Sequence, residues 1–298
     1  MKIKERFRRW MHQEDLNFLL TNRIPRITLT HAMGWWSQIR HPWVVRLSLA
    51  VWRQFSDLDL SDARQQHFAS LRECFTRELR PGARTIDSRP DWMSAPCDAI
   101  VGACGDIRQG QVFQAKGFPY TLQSLLGDSQ ACKHWPQQLE GGQFITLRLT
   151  SSMYHRFHAP HDSWQEHVTY ISGDPWNVNP VALKRVEQLF CKNERAVLHM
   201  RLRDGRPFLM VPVAAVLVAS MRLHAANVLL HLRYKGPNEI PCEAMYAKGD
   251  EMGWFQHGST ILVFVPPGLS LAPGIAPGVH IRMGQALMRC LEQVQSPR

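Results

Sequence analysis

The spacing of apolar residues predicts helices in the first part of the chain. In "WVVRLSLAVWRQF", residues 43 to 55, Arg46 and Arg53 are seven positions apart and share one helical face, while apolar residues fill most of the remainder. Apolar residues also recur at helical spacing from 61 to 79, where Ser61 stands near the predicted N-cap. We therefore expect an amphipathic helix followed by a second helix in this part.

From about residue 94 the pattern changes to short runs rich in β-branched residues, separated by Gly, Pro, Asn and Asp. The predicted strands are 98–104, 112–116, 143–150, 166–172, 196–202, 207–219, 228–234 and 260–266. Short helices are expected at 121–126, 182–191 and 284–294. Many short strands favour a barrel or a sandwich. The predicted fold class is therefore α+β, with a β-rich barrel-like or sandwich-like catalytic domain after an N-terminal helical region.

Length and composition indicate a globular protein. The chain has 298 residues, of which 45% are hydrophobic and 20% charged, and it contains no uninterrupted apolar run long enough to span a bilayer. Its longest apolar stretch, residues 208 to 221, contains Pro212 and is rich in valine, so we expect a buried strand pair or a strand edge there. No membrane-spanning helix is predicted.

Positive charge and tryptophan are concentrated at the start of the chain. The segment from 1 to 56 holds ten Lys or Arg against three acidic side chains, together with five of the ten tryptophans. Such a composition suits nucleic acid or an anionic lipid surface, but a wide apolar face with a narrow cationic strip favours a helix lying in a membrane interface. Packing of that helix on the protein's own core is the alternative. We expect an anionic membrane surface as partner and no nucleic acid.

The cysteines and histidines do not predict a metal site. Seven cysteines are scattered without a C-x-x-C pair and without a secretory signal ahead of them, which is typical of reduced thiols on the cytosolic side. Although there are 14 histidines, Cys and His do not occur at zinc-ligand spacing. The expected metal content is none.

Polar residues stand where several predicted strands begin or end. Asp98 precedes one strand, His155 and His158 lie three positions apart in a loop, and Ser259 follows Gly258 at the start of another strand. Aspartate, histidine and serine are the residue types that activate a hydroxyl, because histidine takes the proton and aspartate orients the histidine. Gly-Ser before a strand is also common in plain turns. A serine hydrolase is disfavoured because Ser259 lacks a G-x-S-x-G elbow.

The histidine and serine clusters lie within longer segments that closely resemble phosphatidylserine decarboxylase, the pyruvoyl-dependent enzyme of phospholipid synthesis. The resemblance covers residues 80 to 287 and extends more loosely to the helical, membrane-associating region at 1–80. The matching segments are "FQAKGFPYTLQSLL" (113–126), "MYHRFHAP" (153–160), "SGDPWNVNP" (172–180), "LFCKNERAV" (189–197), "KGDEMGWFQHGSTILVFVPPG" (248–268) and "VHIRMGQAL" (279–287).

The resemblance implies that the precursor cleaves itself between Gly258 and Ser259. The serine hydroxyl attacks the glycine carbonyl, and elimination and hydrolysis leave a covalent pyruvoyl group, the cofactor, at the new N-terminus. A β chain of residues 1–258 and an α chain of residues 259–298 would result. Glycine before the serine permits both an unusual backbone conformation and close approach of the hydroxyl.

The resemblance also assigns roles to the other candidates. Asp98 and His158 would activate Ser259 for cleavage, and His155 would serve decarboxylation of phosphatidylserine to phosphatidylethanolamine as proton donor. It implies a peripheral protein on the cytoplasmic face of the membrane and a homodimer. We expect a membrane-associating region over residues 1–80 and a catalytic domain over residues 81–298.

Four residues depart from the family pattern. Apolar residues are more common in the family at His257, and glycine is often found at Ala99, Ala214 and Ala219. Alanine cannot adopt the conformations reserved for glycine, so lipid access or cleavage rate could differ here. A non-cleaving, membrane-binding relative without enzymatic activity is the alternative function.

Overall fold

The computed structural model describes residues 14–15, 18–19, 25–113, 118–216, 220–256 and 259–291. Among them, the first long elements are helix α1 (Arg26–Trp36) and helix α2 (Pro42–Phe55). Proline is well placed in the first turn of α2, because its missing N–H would have no helical partner there. The amphipathic helix predicted over 43 to 55 is confirmed.

The helix predicted over 61 to 79 is wrong for most of its length. Only α3 (Leu71–Phe75) is helical, and Ser70 caps it by accepting a hydrogen bond from the Glu73 N–H at 3.2 Å. Ala63 pairs with Leu79 in an antiparallel bridge. The chain therefore turns back on itself across this segment, which a continuous helix would not allow.

Beyond residue 90, β-strands are the main regular structure of the described chain. They are β1 (Trp92–Ser94), β2 (Ala99–Asp106), β3 (Gln111–Phe113), β4 (Pro119–Thr121), β5 (Gln143–Leu149), β6 (Arg156–His158), β7 (Ser163–Ile171), β8 (Arg195–Leu202), β9 (Pro207–Ala214), β10 (Ser220–Leu223), β11 (Val228–His231), β12 (Glu239–Tyr246), β13 (Glu251–Phe255), β14 (Ser259–Val265), β15 (Leu269–Leu271), β16 (His280–Ile281) and β17 (Ala286–Cys290). The intervening helices are α4 (Leu122–Leu126), α5 (Trp135–Gln138), α6 (Pro180–Arg185) and α7 (Leu189–Lys192). The β-rich part of the predicted fold class is confirmed.

An antiparallel sheet of eight strands organises the molecule, in the order β12-β7-β8-β9-β14-β5-β2-β16. This sheet is open, with β12 and β16 at its edges, and no sheet within the described ranges closes into a barrel. Strand β14 is buried along its whole length. A strand covered on both faces reads as a continuous run of apolar and β-branched residues, which explains the sequence of β14.

The two faces of this sheet carry different partners. On one face Ile261 of β14 shares a core with Phe157 of the four-stranded sheet β11-β10-β13-β6 and with Met288 of the three-stranded sheet β1-β17-β15. On the other face Leu262 packs in a core with the short helices, including Leu125 of α4. Strand β14 is thus held between two cores.

The predictions for residues 208–221 and 284–294 have opposite outcomes. The stretch from 208 to 221 lies mainly in β9 and the start of β10, as predicted for a buried strand pair. The helix predicted over 284 to 294 is wrong, because β17 lies there and pairs with both β1 and β15. Residues 292 to 298 lie outside the described part. Pairing between distant strands decides this segment, and local helical spacing does not.

Helix α2 has two apolar faces rather than one. Leu49 and Trp52 pack against a small core that contains Cys74. The opposite face exposes an apolar stripe at four-residue spacing, and we call it the α2 stripe: Trp43 (73% exposed), Leu47 (65%), Val51 (47%) and Phe55 (51%). Core packing and an exposed apolar face therefore coexist on α2. Across the described ranges, no helix combines the length and apolar character needed to cross a bilayer.

Candidate active site

His158 is held by three hydrogen bonds at the end of β6. Its backbone N–H donates to the Pro96 carbonyl at 2.8 Å. On the ring, Nδ1 lies 2.9 Å from the Gly249 carbonyl oxygen and Nε2 lies 3.0 Å from the Tyr154 hydroxyl. A carbonyl oxygen can only accept, so Nδ1 carries the proton and the lone pair of Nε2 accepts from Tyr154. His158 therefore presents a basic Nε2 beside a phenol hydroxyl.

Gly249 is the residue that fixes this tautomer. Its φ is +92°, and a Cβ at this position would lie 2.1 Å from Cδ1 of Ile86. Only glycine accommodates both the backbone conformation and the close approach. The turn between β12 and β13 can therefore bring a bare carbonyl against the imidazole.

Asp98 lies just before β2 and is bound mainly by Arg84. The Arg84 guanidinium donates two hydrogen bonds to the carboxylate, one of them from Nε at 2.9 Å, and the Met283 N–H donates a third at 2.9 Å. Arg84 also pairs with Asp62 at 2.7 Å. The expected Asp98–His158 hydrogen bond is not among the contacts of the described residues, where the Gly249 carbonyl takes the orienting position instead.

Asp98 and His158 nevertheless belong to one site. Arg84 and Met283, the two partners of Asp98, line a cavity of about 300 Å³ together with His158 and Tyr154. Burial lowers the pKa of His158, and this effect outweighs the opposing effects of the Gly249 hydrogen bond and of the negative charges of Glu251 and Asp98. A neutral imidazole at pH 7 follows, and that is the form a general base requires.

His155 is fully buried, and within the described chain neither of its ring nitrogens makes a hydrogen bond of good geometry. Its ring meets Phe75 of α3 edge-on at 5.5 Å, and Phe75 stacks at 4.1 Å on Trp52 of α2. Burial, with a smaller contribution from the Arg77 charge, lowers the pKa of His155 to about 3, against a weak opposing effect of the Met153 backbone. His155 is therefore neutral at physiological pH and could give a proton only from its ring N–H.

Ser259 is the first residue of β14 and lies between Leu149 of β5 and Ala214 of β9. It is fully buried, and its Oγ has no hydrogen-bond partner in the described part of the chain. A buried hydroxyl without a partner is costly, so such a group calls for an explanation in terms of strain or chemistry. Gly258, the other predicted cleavage-site residue, lies outside the described residues, as does His257.

Strand pairing relates the histidines to Ser259. Strand β13 runs antiparallel to β6, with Glu251 opposite His158, and the Phe255 N–H donates to the His155 carbonyl at 2.9 Å. The chain then leads from Phe255 to Ser259. His155 therefore lies beside the C-terminal end of β13, from which the chain continues to Ser259. His158 lies beside the N-terminal end of β13, and its Cα is about 10 Å from the Cα of His155 at the rise of a strand.

Asp98 and Ser259 approach the same end of β5 from its two sides. Ile100 of β2 pairs with Arg148, and Ser259 pairs with Leu149. Because neighbouring strands are about 4.8 Å apart, the starts of β2 and β14 are separated by roughly 10 Å. The four predicted side chains therefore come from the ends of strands in two adjoining sheets.

The alanines that depart from the family pattern fit without strain where they are described. Ala99 and Ala214 are buried, and neither has a positive φ. Glycine is therefore not needed at these two positions for backbone conformation. Ala219 lies outside the described residues.

Comparison with known proteins places the chain in a family. The model of the family described as phosphatidylserine decarboxylase matches residues 71–289. This chain belongs to the phosphatidylserine decarboxylase family. The family is one of carboxy-lyases, so the predicted family and enzyme class are confirmed.

Curated relatives support the assignment over most of the chain. The phosphatidylserine decarboxylase proenzyme of Shewanella loihica is 36% identical over 243 residues, covering 78% of this chain and 84% of the relative. Proteins of the same name from Brevibacillus brevis and Yersinia pestis are 31% and 29% identical. They cover 90% and 95% of this chain, and 95% and 99% of their own lengths.

Three residues of this decarboxylase-family site were not predicted from the sequence: Tyr154, Gly249 and Arg84. Tyr154 and Gly249 fall inside the quoted segments at 153–160 and 248–268, so a signal was present for both. Arg84 lies in the loop "RPGART" ahead of β1, where no spacing pointed to Asp98. The partner of an ionised carboxylate cannot be inferred from sequence distance when an irregular loop separates the two residues.

Proposed function

We propose that this chain decarboxylates phosphatidylserine to phosphatidylethanolamine by means of a pyruvoyl group made from its own Ser259. The observation that carries the proposal is the fully buried, unpartnered hydroxyl of Ser259 within the described chain, at the start of a central strand directly after Gly258. Relatives named proenzymes support a processed chain. A hydrolase, by contrast, needs a nucleophile open to its substrate.

In this proposal, self-cleavage is an acyl shift at the Gly258–Ser259 bond. Oγ of Ser259 attacks the Gly258 carbonyl carbon, an ester bond forms, and the peptide C–N bond breaks as the serine nitrogen takes a proton. Elimination at residue 259 would then remove the Cα proton and break the Cβ–Oγ bond, which frees the Gly258 carboxylate, and addition of water to the resulting imine tautomer would release ammonia and leave the ketone. The pyruvoyl ketone supplies an electron sink for the electrons left behind as carbon dioxide departs.

The two histidines divide the proton transfers in this proposal. His158 is suited to be a base, because burial keeps it neutral and Gly249 directs its Nε2 lone pair away from the backbone. Asp98 and Arg84 form a fixed charge pair beside it. His155 holds a neutral imidazole near the segment that leads to Ser259, and its N–H would deliver the proton that replaces carbon dioxide while its second ring nitrogen takes up another proton, so that no imidazolate forms.

The membrane part of the proposal is carried by the α2 stripe. Four large apolar side chains exposed along one helix line suit insertion at the level of lipid headgroups. The excess of positive charge in the segment from 1 to 56 would add attraction to anionic lipids. The protein would then work as a peripheral protein at the surface that holds its substrate.

The intact mass of the purified protein under denaturing conditions tests the pyruvoyl mechanism. We expect one fragment of residues 1–258 and another of residues 259–298 that is blocked to Edman sequencing, whereas Ser259→Ala stays whole and releases no carbon dioxide. Ser220→Ala is the matched control, because Ser220 is also a buried first strand residue whose Oγ has no partner in the described chain. A wild-type chain that decarboxylates while remaining whole would contradict the mechanism.

The assignment of the histidines is tested on the same gel. His158→Ala and Asp98→Ala should accumulate whole chain, because the base for the Ser259 proton is lost or disturbed. His155→Ala should cleave yet lose turnover by about 10² to 10⁴ fold, the usual effect of a positioned acid. If His155→Ala stays whole while His158→Ala cleaves, the assignment is contradicted and the two roles are reversed. His155 would then be the base for Ser259, and its position beside the end of β13 would be the structural reason.

A further inference from the structure

A cavity of about 400 Å³ opens at the end of the central sheet, where it is lined by Leu149, the strand partner of Ser259. Its walls include Leu149 and Ala215, which belong to or directly follow the two strands that flank β14. The loop after β7 contributes Asn177 and Asn179. A volume of this size is in the range of small-ligand sites. Because the cavity lies beyond the strand ends, it is lined from both faces of the sheet.

Arg148 is the charged side chain of this cavity. It is half-buried, and its stem extends over Gly102 of β2, where an added Cβ would lie 3.5 Å from the Arg148 Cδ. Within the described chain it makes neither an ion pair nor a side-chain hydrogen bond. Burial lowers its pKa, and no carboxylate of the described residues opposes this effect. A half-buried guanidinium without a carboxylate partner in the described chain is suited to bind an anion that enters the cavity.

The position of Arg148 fits a ligand held at residue 259. Arg148 pairs with Thr260, the residue after Ser259, so its Cα lies within about 7 Å of the Ser259 Cα, but the side chains of Arg148 and Ser259 leave opposite faces of the sheet. The amine and the phosphodiester of a phosphatidylserine head group are separated by only a few bonds. Because the cavity at the strand ends is lined by Leu149 of one core and Ala215 of the other, a head group whose amine reaches residue 259 can extend around the end of the sheet and bring its phosphate toward Arg148.

We propose that Arg148 binds the phosphodiester of the lipid head group and so anchors the substrate beside Ser259. This inference rests on the proposed function. The guanidinium fork matches two phosphate oxygens, whereas the carboxylate is the group that must leave. Holding that carboxylate in an ion pair would stabilise the ground state and oppose decarboxylation. The phosphodiester is unchanged in the reaction, so its binding helps substrate and transition state alike.

The rim of the cavity connects it to the N-terminal helices. Arg26, the first residue of α1, lies over the ring of Trp176 at 3.7 Å, and Trp176 immediately precedes the cavity residue Asn177. A lipid whose acyl chains remain in the bilayer near these helices would present its head group at this rim. A lipid source for the phosphate is therefore favoured over free phosphate.

Kinetics with short-chain phosphatidylserine below its micelle concentration tests the proposal. Arg148→Met should raise KM by about 10- to 100-fold, the effect of losing a charge-assisted hydrogen-bonded pair, with a smaller change in kcat. Arg148→Lys keeps the charge without the fork and should raise KM by less. Arg108→Met, which removes an 81% exposed arginine side chain, is the control and should leave KM unchanged. If Arg148→Met does not fold, the KM of Arg148→Lys is the test. A KM equal to that of the wild type in the folded variant overturns the proposal.

Inhibition by the product identifies the group that is bound. Short-chain phosphatidylethanolamine keeps the phosphodiester but lacks the carboxylate, so its inhibition constant should rise in Arg148→Met in parallel with KM. An unchanged inhibition constant would mean that Arg148 holds the carboxylate and would overturn the proposal. Inorganic phosphate that inhibits wild type as strongly as the lipid would assign the site to free phosphate instead.

The self-cleavage gel keeps the two proposals apart. Arg148→Met should still cleave into the two expected fragments, because Arg148 is assigned only to substrate binding. A wild type that neither cleaves nor releases carbon dioxide would contradict the proposed function itself. A wild type that does both, beside an Arg148→Met enzyme with unchanged KM, would contradict only the role of Arg148.

Discussion

At the scale of single residues, a backbone carbonyl performs a task usually associated with a carboxylate. The Gly249 carbonyl accepts a hydrogen bond from the Nδ1–H of His158, which leaves the basic lone pair on Nε2, where the Tyr154 hydroxyl is its partner. Asp98 is occupied by Arg84, so its negative charge is largely balanced locally. A neutral acceptor does not raise the basicity of His158 as strongly as a carboxylate would. Because burial lowers the pKa of His158, we expect its base form to persist at a pH where an ordinary histidine is already protonated.

Replacement of Gly249 by alanine tests this role. The new Cβ would overlap Ile86, and the positive φ would add strain of about 1 kcal/mol or more, so the carbonyl should move away from Nδ1. We expect the first-order rate of self-cleavage to fall on the order of 10²-fold, as for other small misplacements of a catalytic group. The rate can be followed by gel after synthesis of the precursor in vitro.

Gly205→Ala is the matched control for this measurement. Gly205 has nearly the same φ, +88°, but a Cβ there would meet nothing within 4 Å. Both variants should lose thermal stability, and only Gly249→Ala should lose cleavage rate. Equal cleavage by the two variants would show that the Gly249 carbonyl does not control the base.

At the scale of elements, the sequence was most informative where one period dominates. The buried strands β5, β8 and β14 were predicted to within one residue at each end, because apolar patterning reflects burial directly, whereas the strand predicted over 207–219 begins with β9 but runs past its end at Ala214. The helices predicted at 61–79 and 284–294 failed where the chain pairs with distant segments, as Ala63 does with Leu79. Such pairing depends on tertiary contacts that local spacing does not contain.

In the candidate site, too, the sequence predicted some residues and missed others. The side chains Asp98, His155, His158 and Ser259 were found through motifs, but their partners were not. Phe75 lies against His155 because α3 is short and capped at Ser70, whereas the predicted long helix gave no reason for that contact. Through Phe75 and Trp52, helix α2 is packed two side chains away from His155. An element proposed to meet the membrane thus also supports a proposed catalytic residue.

At the scale of the whole molecule, large apolar side chains of the described chain are exposed both on the N-terminal helices and elsewhere. The α2 stripe lies on the N-terminal helices, and Met245, 70% exposed, lies on the edge strand β12 of the large sheet. Only the first belongs to the segment with clustered positive charge and tryptophan. A membrane-bound orientation in which the N-terminal helices face the bilayer is therefore the arrangement we propose, and the boundary near residue 80 remains a prediction.

Paired glutamine substitutions test this orientation. Leu47→Gln with Val51→Gln removes two exposed apolar side chains from the α2 stripe without touching Leu49 or Trp52, which pack inward. Each apolar side chain of this kind contributes up to about 1.5–3 kcal/mol when buried, so partial insertion predicts roughly tenfold or more weaker binding to anionic vesicles.

Co-sedimentation with anionic vesicles measures this binding. The control is Met245→Gln, because Met245 is similarly exposed on the edge strand β12, and this variant should bind like wild type. Self-cleavage and turnover of a monomeric short-chain substrate should stay normal in both variants, while turnover of vesicle-bound phosphatidylserine should fall only in the double variant. Unchanged co-sedimentation of the double variant, or an equal loss in Met245→Gln, would contradict the assignment of the α2 stripe to the bilayer.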